Sequence, residues 1–305
     1  MKHLTSLYQL DREAAERILS ISADLKSEFQ IGERPTLLAG RVLALVFDKP
    51  SLRTRVSFEA AIMQLGGSAS FFSSKDAGLQ GRESLPDVAR VLSSYCDVIV
   101  IRTFSQKLID DLAVHARCPV INGLSDEFHP CQALTDLMTI KEAVGKLDGV
   151  RLVYVGDGNN VAASLAIATA QFGMPITICT PVGYELSPAF LGDVKQRIPT
   201  SNVIVTNDPA AAVRNADVLY TDVWASMGQE AETTSRNSDF EKYQINAALL
   251  SQAPRDCKFM HCLPARRGTE VTDEVMESPN SIVFEQAENR MHLAKGLLVW
   301  ALRDD

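Results

Sequence analysis

The sequence lacks the features that mark several large classes of protein. Its net charge is −8, so no excess of basic residues is available to hold nucleic acid or an anionic membrane surface. No apolar run approaches the roughly 20 residues that span a bilayer, and residues 1–18 have no apolar core of the signal-peptide type. We therefore expect a cytoplasmic protein without nucleic-acid or membrane partners, in which a local positive cluster holds any anionic ligand.

Paired cysteines are also missing. The six cysteines form no CxxC pair, and no His/Cys cluster has the spacing of a zinc site. Scattered cysteines of this kind are typical of reduced thiols in a cytosolic protein, most of them small core residues. They are Cys96, Cys118, Cys131, Cys179, Cys257 and Cys262.

What the chain does have is an alternation of short Val/Ile/Leu-rich runs with amphipathic stretches, over a length that suggests two domains. This pattern predicts two open, mainly parallel α/β domains joined by interdomain helices, with the active site in the cleft. The predicted strands are 41–47, 68–72, 98–102, 120–121, 151–155, 176–180, 202–205, 218–221 and 258–262. The predicted helices are 12–29, 53–65, 85–95, 129–142, 160–171, 209–215 and 287–302.

The polar, glycine-bearing segment Ala143–Gly149 predicts the domain boundary. We expect a first domain over residues 1–143, with the C-terminal helix 287–305 packing back on it, and a second domain over residues 150–286.

A candidate anion site follows the first strand, in SLRTR (Ser51–Arg55). Ser51 is a suitable N-cap, and free backbone N–H groups, hydroxyls and guanidiniums converge at this helix start. The alternative is a helix start whose charges merely face solvent. The spacing is not that of a Walker A loop. A buried stripe is expected on this helix at Val56, Ala60, Met63 and Leu65.

Three further polar residues lie near predicted strand ends or helix starts in the first half. Arg102 ends the strand VIVIR, where ligands bind in open α/β sheets, although a strand-end arginine often only reaches for solvent. Pro130 suits the first position of a helix, which leaves His129 near its cap. His129 and Gln132 can both hydrogen-bond a carbonyl group, but a histidine beside a helix start is more often structural.

In the second half, GDGNN (Gly156–Asn160) imitates a dinucleotide fingerprint. The third glycine position is Val161, and the next strand ends in Thr180 rather than an acid, so a nicotinamide cofactor is disfavoured. Asn159 and Asn160 could instead hold a substrate carboxylate through their side-chain N–H groups.

The segment DVWASMG (Asp222–Gly228) begins where another strand ends. Asp222 can bind the ammonium of an amino acid, beside the hydroxyl of Ser226, although a turn or capping role is equally compatible with its position.

Cys262 follows the last predicted strand, within HCLP. Because His261 should point to the opposite face of that strand, Cys262 lacks an obvious base, and a non-covalent role is favoured. Glu288–Arg290 is expected to open the last helix, from which Arg290 could reach the cleft or remain at the surface.

Together these motifs resemble the ornithine carbamoyltransferase branch of the aspartate/ornithine carbamoyltransferase family, over nearly the whole chain. The matching segments are Ser51–Arg55, Phe128–Gln132, Gly156–Asn160, Asp222–Gly228, His261–Pro264 and Ala287–Arg290.

The resemblance implies a role for each matching position. Residues 1–143 would be the carbamoyl-phosphate-binding domain and residues 150–286 the ornithine-binding domain. The residues implied to bind carbamoyl phosphate are Ser51, Leu52 (through its backbone), Arg53, Thr54, Arg102, His129, Gln132, Cys262, Leu263 and Arg290. Those implied to bind ornithine are Asn160, Asp222, Ser226 and Met227. The implied catalytic residues are Arg102, His129, Asp222 and Cys262.

The resemblance further implies carbamoyl transfer from carbamoyl phosphate to the side-chain amine of L-ornithine, giving citrulline for arginine biosynthesis. It implies no metal or redox cofactor, and a homotrimer or an assembly of trimers. Two positions depart from the family pattern. Leu52 replaces the usual Thr, and a loop position that usually carries Gln or His and reaches a neighbouring subunit is Gly78, with Gln80 nearby.

Several alternatives stay open at this stage. The amine substrate could be an N-acylated ornithine, which Leu52 would suit, or putrescine or aspartate. The other classes are a dinucleotide-dependent oxidoreductase and a catalytically silent binding relative.

Overall fold

The chain is described by a computed structural model over residues 1–79, 81, 83–225 and 233–303, with the backbone alone at 233 and 234. It divides into two compact units. Unit 1 comprises Met1–Met138 and Glu288–Asp305, and unit 2 comprises Thr139–Ala287. No helix in the described ranges is long and apolar enough to cross a membrane.

Unit 1 is built on a four-stranded parallel sheet in the order β2-β1-β3-β4. Its strands are β1 (Val42–Phe47), β2 (Ser68–Ser73), β3 (Val98–Arg102) and β4 (Val120–Leu124). Its helices include α1 (Arg12–Gln30), α2 (Leu52–Gln64), α3 (Leu85–Tyr95) and α4 (Gln106–His115). Phe47 pairs with Arg102, so β1 and β3 end side by side. The chain leaves β1 for β2 on one side and reaches β3 on the other, which is where such sheets open a crevice for ligands.

Unit 2 is built on a five-stranded parallel sheet in the order β7-β6-β5-β8-β9. Its strands are β5 (Leu152–Val155), β6 (Ile176–Cys179), β7 (Val203–Thr206), β8 (Val218–Thr221) and β9 (Lys258–His261). The helices that begin within it are α6 (Asn160–Gln171), α7 (Pro188–Arg197), α8 (Pro209–Val213), α9 (Thr233–Asp239), α10 (Ala247–Leu250), α11 (Asp273–Met276) and α12 (Val283–Leu302). The strand order reverses between β5 and β8, which defines a second crevice position.

The unit boundaries fall inside two helices, α5 (Pro130–Val144) and α12. α12 begins at Val283, so the prediction that Glu288–Arg290 opens the last helix was wrong, and these residues lie in its second turn. Within unit 1, α12 packs closely on α1. A Cβ added at Gly296 would lie 2.0 Å from Ser22 Oγ and 2.8 Å from Ile18 O.

The start of α2 forms as the sequence predicts, because the hydroxyl of Ser51 accepts a hydrogen bond from the backbone N–H of Thr54 at 3.2 Å. The predicted buried stripe was wrong, since Val56 and Met63 are exposed. Because each residue of a helix turns by 100°, positions i, i+4, i+7 and i+8 lie on one face, and in α2 this is the buried face. Its buried members are Thr54, Phe58, Ala61, Ile62 and Leu65.

Candidate active site

The residues singled out in the sequence fall into two groups, one in each unit. Unit 1 contains Ser51, Leu52, Arg53, Thr54, Arg102, His129, Gln132 and Arg290, and unit 2 contains Asn160, Asp222, Cys262 and Leu263. Ser226 and Met227 lie outside the described residues, as does Gln80.

The unit 1 group includes three guanidiniums whose charges act on the same neighbours, those of Arg53, Arg102 and Arg290. Burial, together with the nearby charges of Arg290 and Arg53, lowers the pKa of Arg102 to about 10. Arg290 donates from Nη2 to Thr54 Oγ1 at 3.4 Å, which connects α12 to the start of α2. Buried like charges that lie close together raise the free energy of the folded protein, unless a bound anion compensates them.

Two of these arginines present buried nitrogens that no hydrogen bond satisfies within the described chain. They are Nε of Arg102 and Nη1 of Arg290, on side chains that are 7% and 6% exposed as residues. Buried polar atoms in native proteins nearly always have partners, and an unsatisfied donor on a cation is especially costly. The geometry therefore indicates an anion site at the ends of β1 and β3, completed by the positive end of α2.

His129 lies in the same positive surroundings. It is buried, and its pKa is lowered well below the usual value by burial and by the charges of Arg290, Arg102 and Arg53. The imidazole is therefore neutral at physiological pH, and can hydrogen-bond a neutral carbonyl without adding charge.

Gln132 is more restricted than the sequence suggests, whereas Leu52 offers only its backbone, as the resemblance implies. The side-chain amide of Gln132 donates to Oδ1 of the buried Asp136 at 2.8 Å, so one of its N–H groups is already used. The side chain of Leu52 is 76% exposed, which leaves its backbone as the part that belongs to the helix start.

Lys49 supports the anion site without having been singled out in the sequence. It is buried, forms an ion pair with Asp126, and its Nζ lies 4.0 Å from the centre of the Phe104 ring. Next to it, Asp48 accepts a hydrogen bond from the hydroxyl of Thr103. These contacts connect the loop before α2 to the loops after β3 and β4. The available signal in the sequence was a lysine two residues after a strand end.

The unit 2 group centres on Asp222, directly after β8. Its Oδ1 accepts hydrogen bonds from the backbone N–H of Val223 at 2.8 Å and from the Cys262 thiol at 3.0 Å. Its Oδ2 accepts from Nδ2 of Asn159 at 2.8 Å. A carboxylate fixed in this way is suited to receive an ammonium group.

Asn159 and Asn160, which the sequence treats as equivalent, have different surroundings. The carboxamide of Asn159 caps α6, because its Oδ1 accepts from the backbone N–H groups of Val161 and Ala162, and it also contacts Asp222. Its predicted use for a substrate carboxylate is therefore replaced by bonds within the protein. Asn160 is the first residue of α6 and is half-buried.

His261 and Cys262 are closer than predicted. β9 ends at His261, so strand alternation does not extend to Cys262, and a ring nitrogen of His261, the Cys262 sulfur and an Asp222 oxygen lie within 4.8 Å of one another. The ring nitrogens of His261 are nevertheless occupied. Nδ1 accepts from the N–H of Leu263 at 2.9 Å, so Nε2 carries the proton towards Glu270 at 3.1 Å.

These bonds hold the turn at Leu263, whose φ of 58° is unusual for a residue other than glycine. The thiol of Cys262 donates to Asp222 rather than to a base, which supports the non-covalent role. The three atoms that could ligate a metal each make hydrogen bonds within the protein, and we assign no metal to them.

Comparison with known proteins agrees with this arrangement. Residues 2–142 match the family model of the aspartate/ornithine carbamoyltransferase carbamoyl-P binding domain, and residues 148–301 match that of the Asp/Orn binding domain.

A protein named ornithine carbamoyltransferase from Anoxybacillus flavithermus is 50% identical over 98% of this chain and 96% of its own length. The structure of ornithine carbamoyltransferase from Pyrococcus furiosus is 48% identical, with a TM-score of 0.95 over 99% of this chain and 97% of that one. An N-acetyl-L-ornithine transcarbamylase structure is 28% identical, with a TM-score of 0.88 over 99% of this chain and 100% of that one. The chain therefore belongs to the aspartate/ornithine carbamoyltransferase family.

Proposed function

We propose that the chain transfers the carbamoyl group of carbamoyl phosphate to the side-chain amine of L-ornithine, forming citrulline and phosphate in arginine biosynthesis. The observation that carries this proposal is the group of buried arginines in unit 1, with donors that lack partners in the described chain and a neutral histidine beside them. The sequence identity of about half to relatives named ornithine carbamoyltransferase supports the choice of ornithine.

We assign residues 1–143 with residues 287–305 to carbamoyl phosphate. In the proposed site, the phosphate is bound by the start of α2, with Ser51, the Leu52 backbone, Arg53 and Thr54. The carbamoyl group is held by Arg102, His129 and Gln132, and Arg290 adds a further positive charge. Cys262 and Leu263 are proposed to line the reacting centre.

We assign residues 150–286 to ornithine. Asp222 takes the α-ammonium group, since its carboxylate is already oriented by three donors. Asn160, Ser226 and the Met227 backbone are proposed to complete the binding of the amino acid.

The proposed chemistry is direct attack. The neutral side-chain amine adds to the carbamoyl carbon, and the oxyanion that forms is stabilised by Thr54, Arg102 and His129. Phosphate then leaves with the electron pair of the broken C–O bond, and it takes up the proton that the attacking nitrogen releases. Preorganised donors of this kind contribute roughly 10²–10³ each to the rate.

The attacking amine has an ordinary pKa near that of lysine, about 10.4. Most of it is protonated at neutral pH, so kcat/KM for ornithine should rise between pH 7 and pH 9. His129 should add no ionisation to that range, because its pKa is already lowered. A pH-rate profile that is flat over this interval would contradict direct attack by a free amine.

The test of the proposed function is citrulline formation from carbamoyl phosphate and L-ornithine, with N-acetylornithine, N-succinylornithine, putrescine and aspartate assayed in parallel. We expect a strong preference for L-ornithine. Turnover only with an acylated amine would transfer the proposal to the second candidate, which Leu52 at the phosphate motif favours. No turnover with any amine would overturn it.

We also propose, on the family resemblance, that the protein is a homotrimer or an assembly of trimers. Sedimentation equilibrium would measure this directly, and a monomer at micromolar concentration would contradict it. A reducing, cytoplasmic location stays a prediction, which is supported by six cysteines that form no disulfide in the described chain.

A further inference from the structure

Asn159 belongs to the GDGNN motif and has no role in the proposed function. It is half-buried at the end of the loop after β5, and each side of its carboxamide has partners within unit 2. One side faces the start of α6, and the other faces Asp222, the residue proposed to receive the ornithine ammonium.

The orientation of the Asn159 carboxamide is determined by these partners. Its Oδ1 accepts from the N–H groups of Val161 at 3.0 Å and Ala162 at 3.1 Å, which only an oxygen can do. The hydroxyl of Tyr154 donates to the same oxygen at 3.3 Å. Burial and nearby acids raise the pKa of Tyr154 well above its usual value, so the phenol keeps its proton. The amide nitrogen must therefore face Asp222.

The backbone around Asn159 is equally constrained. The N–H of Gly158 donates to Tyr184 O at 2.9 Å, and a Cβ at Gly158 would lie 2.6 Å from that oxygen and 2.7 Å from Leu186 N. Only glycine allows this approach, which fixes the residue that precedes Asn159 against the next loop. The backbone that carries the Asn159 carboxamide is therefore held in place where the side chain contacts Asp222.

We propose that Asn159 is a positioning residue for ornithine binding, which acts by holding the Asp222 carboxylate in one orientation through the Asn159 Nδ2–Asp222 Oδ2 hydrogen bond. The inference rests on the proposed function. It assigns to one side chain two tasks that differ chemically, because capping α6 needs only an acceptor and holding Asp222 needs a donor. The two tasks can therefore be separated by substitution.

Asn159→Ser separates them, because serine is a good N-cap but is too short to bring a donor to Asp222. We expect KM for L-ornithine to rise about 10- to 100-fold, as for the loss of one hydrogen bond to a charged group. KM for carbamoyl phosphate should stay within about twofold, and the melting temperature should be close to that of wild type. Asn159→Asp is a second variant that also keeps the cap, and it places a carboxylate against Asp222, so ornithine binding should weaken further.

Ser187→Ala is the matched control for capping, since Ser187 caps α7 in the same unit and has no bond to Asp222. It should lower the melting temperature and leave both KM values unchanged. The decisive comparison is a double-mutant cycle with Asp222→Asn. If Asn159 acts through Asp222, adding Asn159→Ser to Asp222→Asn should change kcat/KM for ornithine by less than about threefold.

Each outcome has a separate meaning. An unchanged KM for ornithine in Asn159→Ser, equal changes in both KM values, or full additivity in the cycle would overturn the inference while leaving the proposed function intact. Wild-type protein that forms no citrulline would overturn the proposed function itself.

Discussion

At the scale of single residues, the described part of unit 1 brings several positive charges close together. The charges of Arg53, Arg102 and Arg290 lower the pKa of neighbouring groups. Two of the guanidinium nitrogens, Arg102 Nε and Arg290 Nη1, are buried and have no hydrogen-bond partner in the described chain. Such an arrangement costs stability in the empty protein and favours the ligand that relieves it, which is a common relation between stability and function.

Replacing Arg102 with Met, which approximates its length, should therefore separate the two properties. We expect kcat/KM for carbamoyl phosphate to fall about 10²–10³-fold, whereas the melting temperature of the ligand-free protein should not decrease, because the repulsion is relieved. Carbamoyl phosphate should raise the melting temperature of wild type and not of the variant.

Arg41→Met is the control for that experiment, since it makes the same charge change at an exposed arginine paired with Asp97. It should keep full activity. A marked loss of stability in Arg102→Met without ligand would contradict the repulsion argument.

Lys295 is a further buried cation, on α12. It is 3% exposed, its Nζ lies 4.5 Å from the centre of the Phe29 ring, and burial together with the charge of Arg34 lowers its pKa to about 8. Between about pH 8 and the ordinary pKa of 10.5, the unfolded chain holds a proton that the folded chain has released. The free energy of unfolding should therefore rise with pH across this window.

Lys295→Met should remove that rise. At pH 7 we expect the variant to be more stable than wild type by an amount on the order of 2 kcal/mol, since the cost of burying the charge is removed, and the difference should shrink towards pH 10. Urea denaturation at pH 7, 8.5 and 10 measures it, with the exposed Lys107→Met as control. Parallel pH dependences for the Lys295 variant and wild type would contradict the assignment.

At the scale of elements, the nine described strands were predictable because each carries a short run of apolar or aromatic residues, although in β2 and β7 these residues are not buried. Their limits were less predictable. β4 continues to Leu124 through Asn122 and Gly123, residues with little strand preference, because Asn122 and Leu124 pair with β3 on either side of an irregularity at Gly123. α4 and α7 were missed although Ser105 and Ser187 cap them, and α9–α11 are too short to show a helical period.

Only those candidate site residues that lie at a strand end or a helix start could be predicted from the sequence. The sequence indicates that Arg102 ends one strand and that Asp222 directly follows another, each at the carboxyl edge of its own parallel sheet, where ligands bind. It does not indicate that Arg290 reaches Thr54 from 236 positions away, nor that Asn159 faces Asp222 rather than solvent. Those contacts depend on helix packing and on which atoms of an amide are already used.

The packing of α12 on α1 gives a prediction for Gly296. An added Cβ would meet Ser22 Oγ and the Ile18 carbonyl within 3 Å, so Gly296→Ala should destabilise the protein by about 1–3 kcal/mol through overpacking. Ser22→Ala should partly rescue the variant, because it removes the nearest of these atoms.

Gly192→Ala on α7 is the matched comparison. A Cβ there meets nothing within 4 Å, so the same substitution should stabilise the protein by about 0.5–1 kcal/mol through helix propensity. Chemical denaturation of the three variants measures the contrast, and equal effects at both glycines would contradict it.

At the scale of the whole molecule, unit 2 is one continuous stretch of chain, whereas unit 1 is assembled from two stretches. The second stretch supplies Arg290 and the contacts of α12 with α1 within unit 1. A chain that ends after Ala287 should therefore lose amide protection over residues 1–138 while residues 139–287 keep theirs, as hydrogen exchange would show. A chain that ends after Leu302 is the control and should match wild type.

The divided unit 1 also bears on the order of events at the ribosome. Domains usually mature in the order in which they are translated, yet the unit that contains residue 1 cannot complete its packing until residues from Glu288 onward have emerged. Unit 2 is then the first to finish, and the positive cluster is assembled last, when Arg290 arrives. The nascent chain thus completes its cluster of arginines only after all of unit 2 has been synthesised.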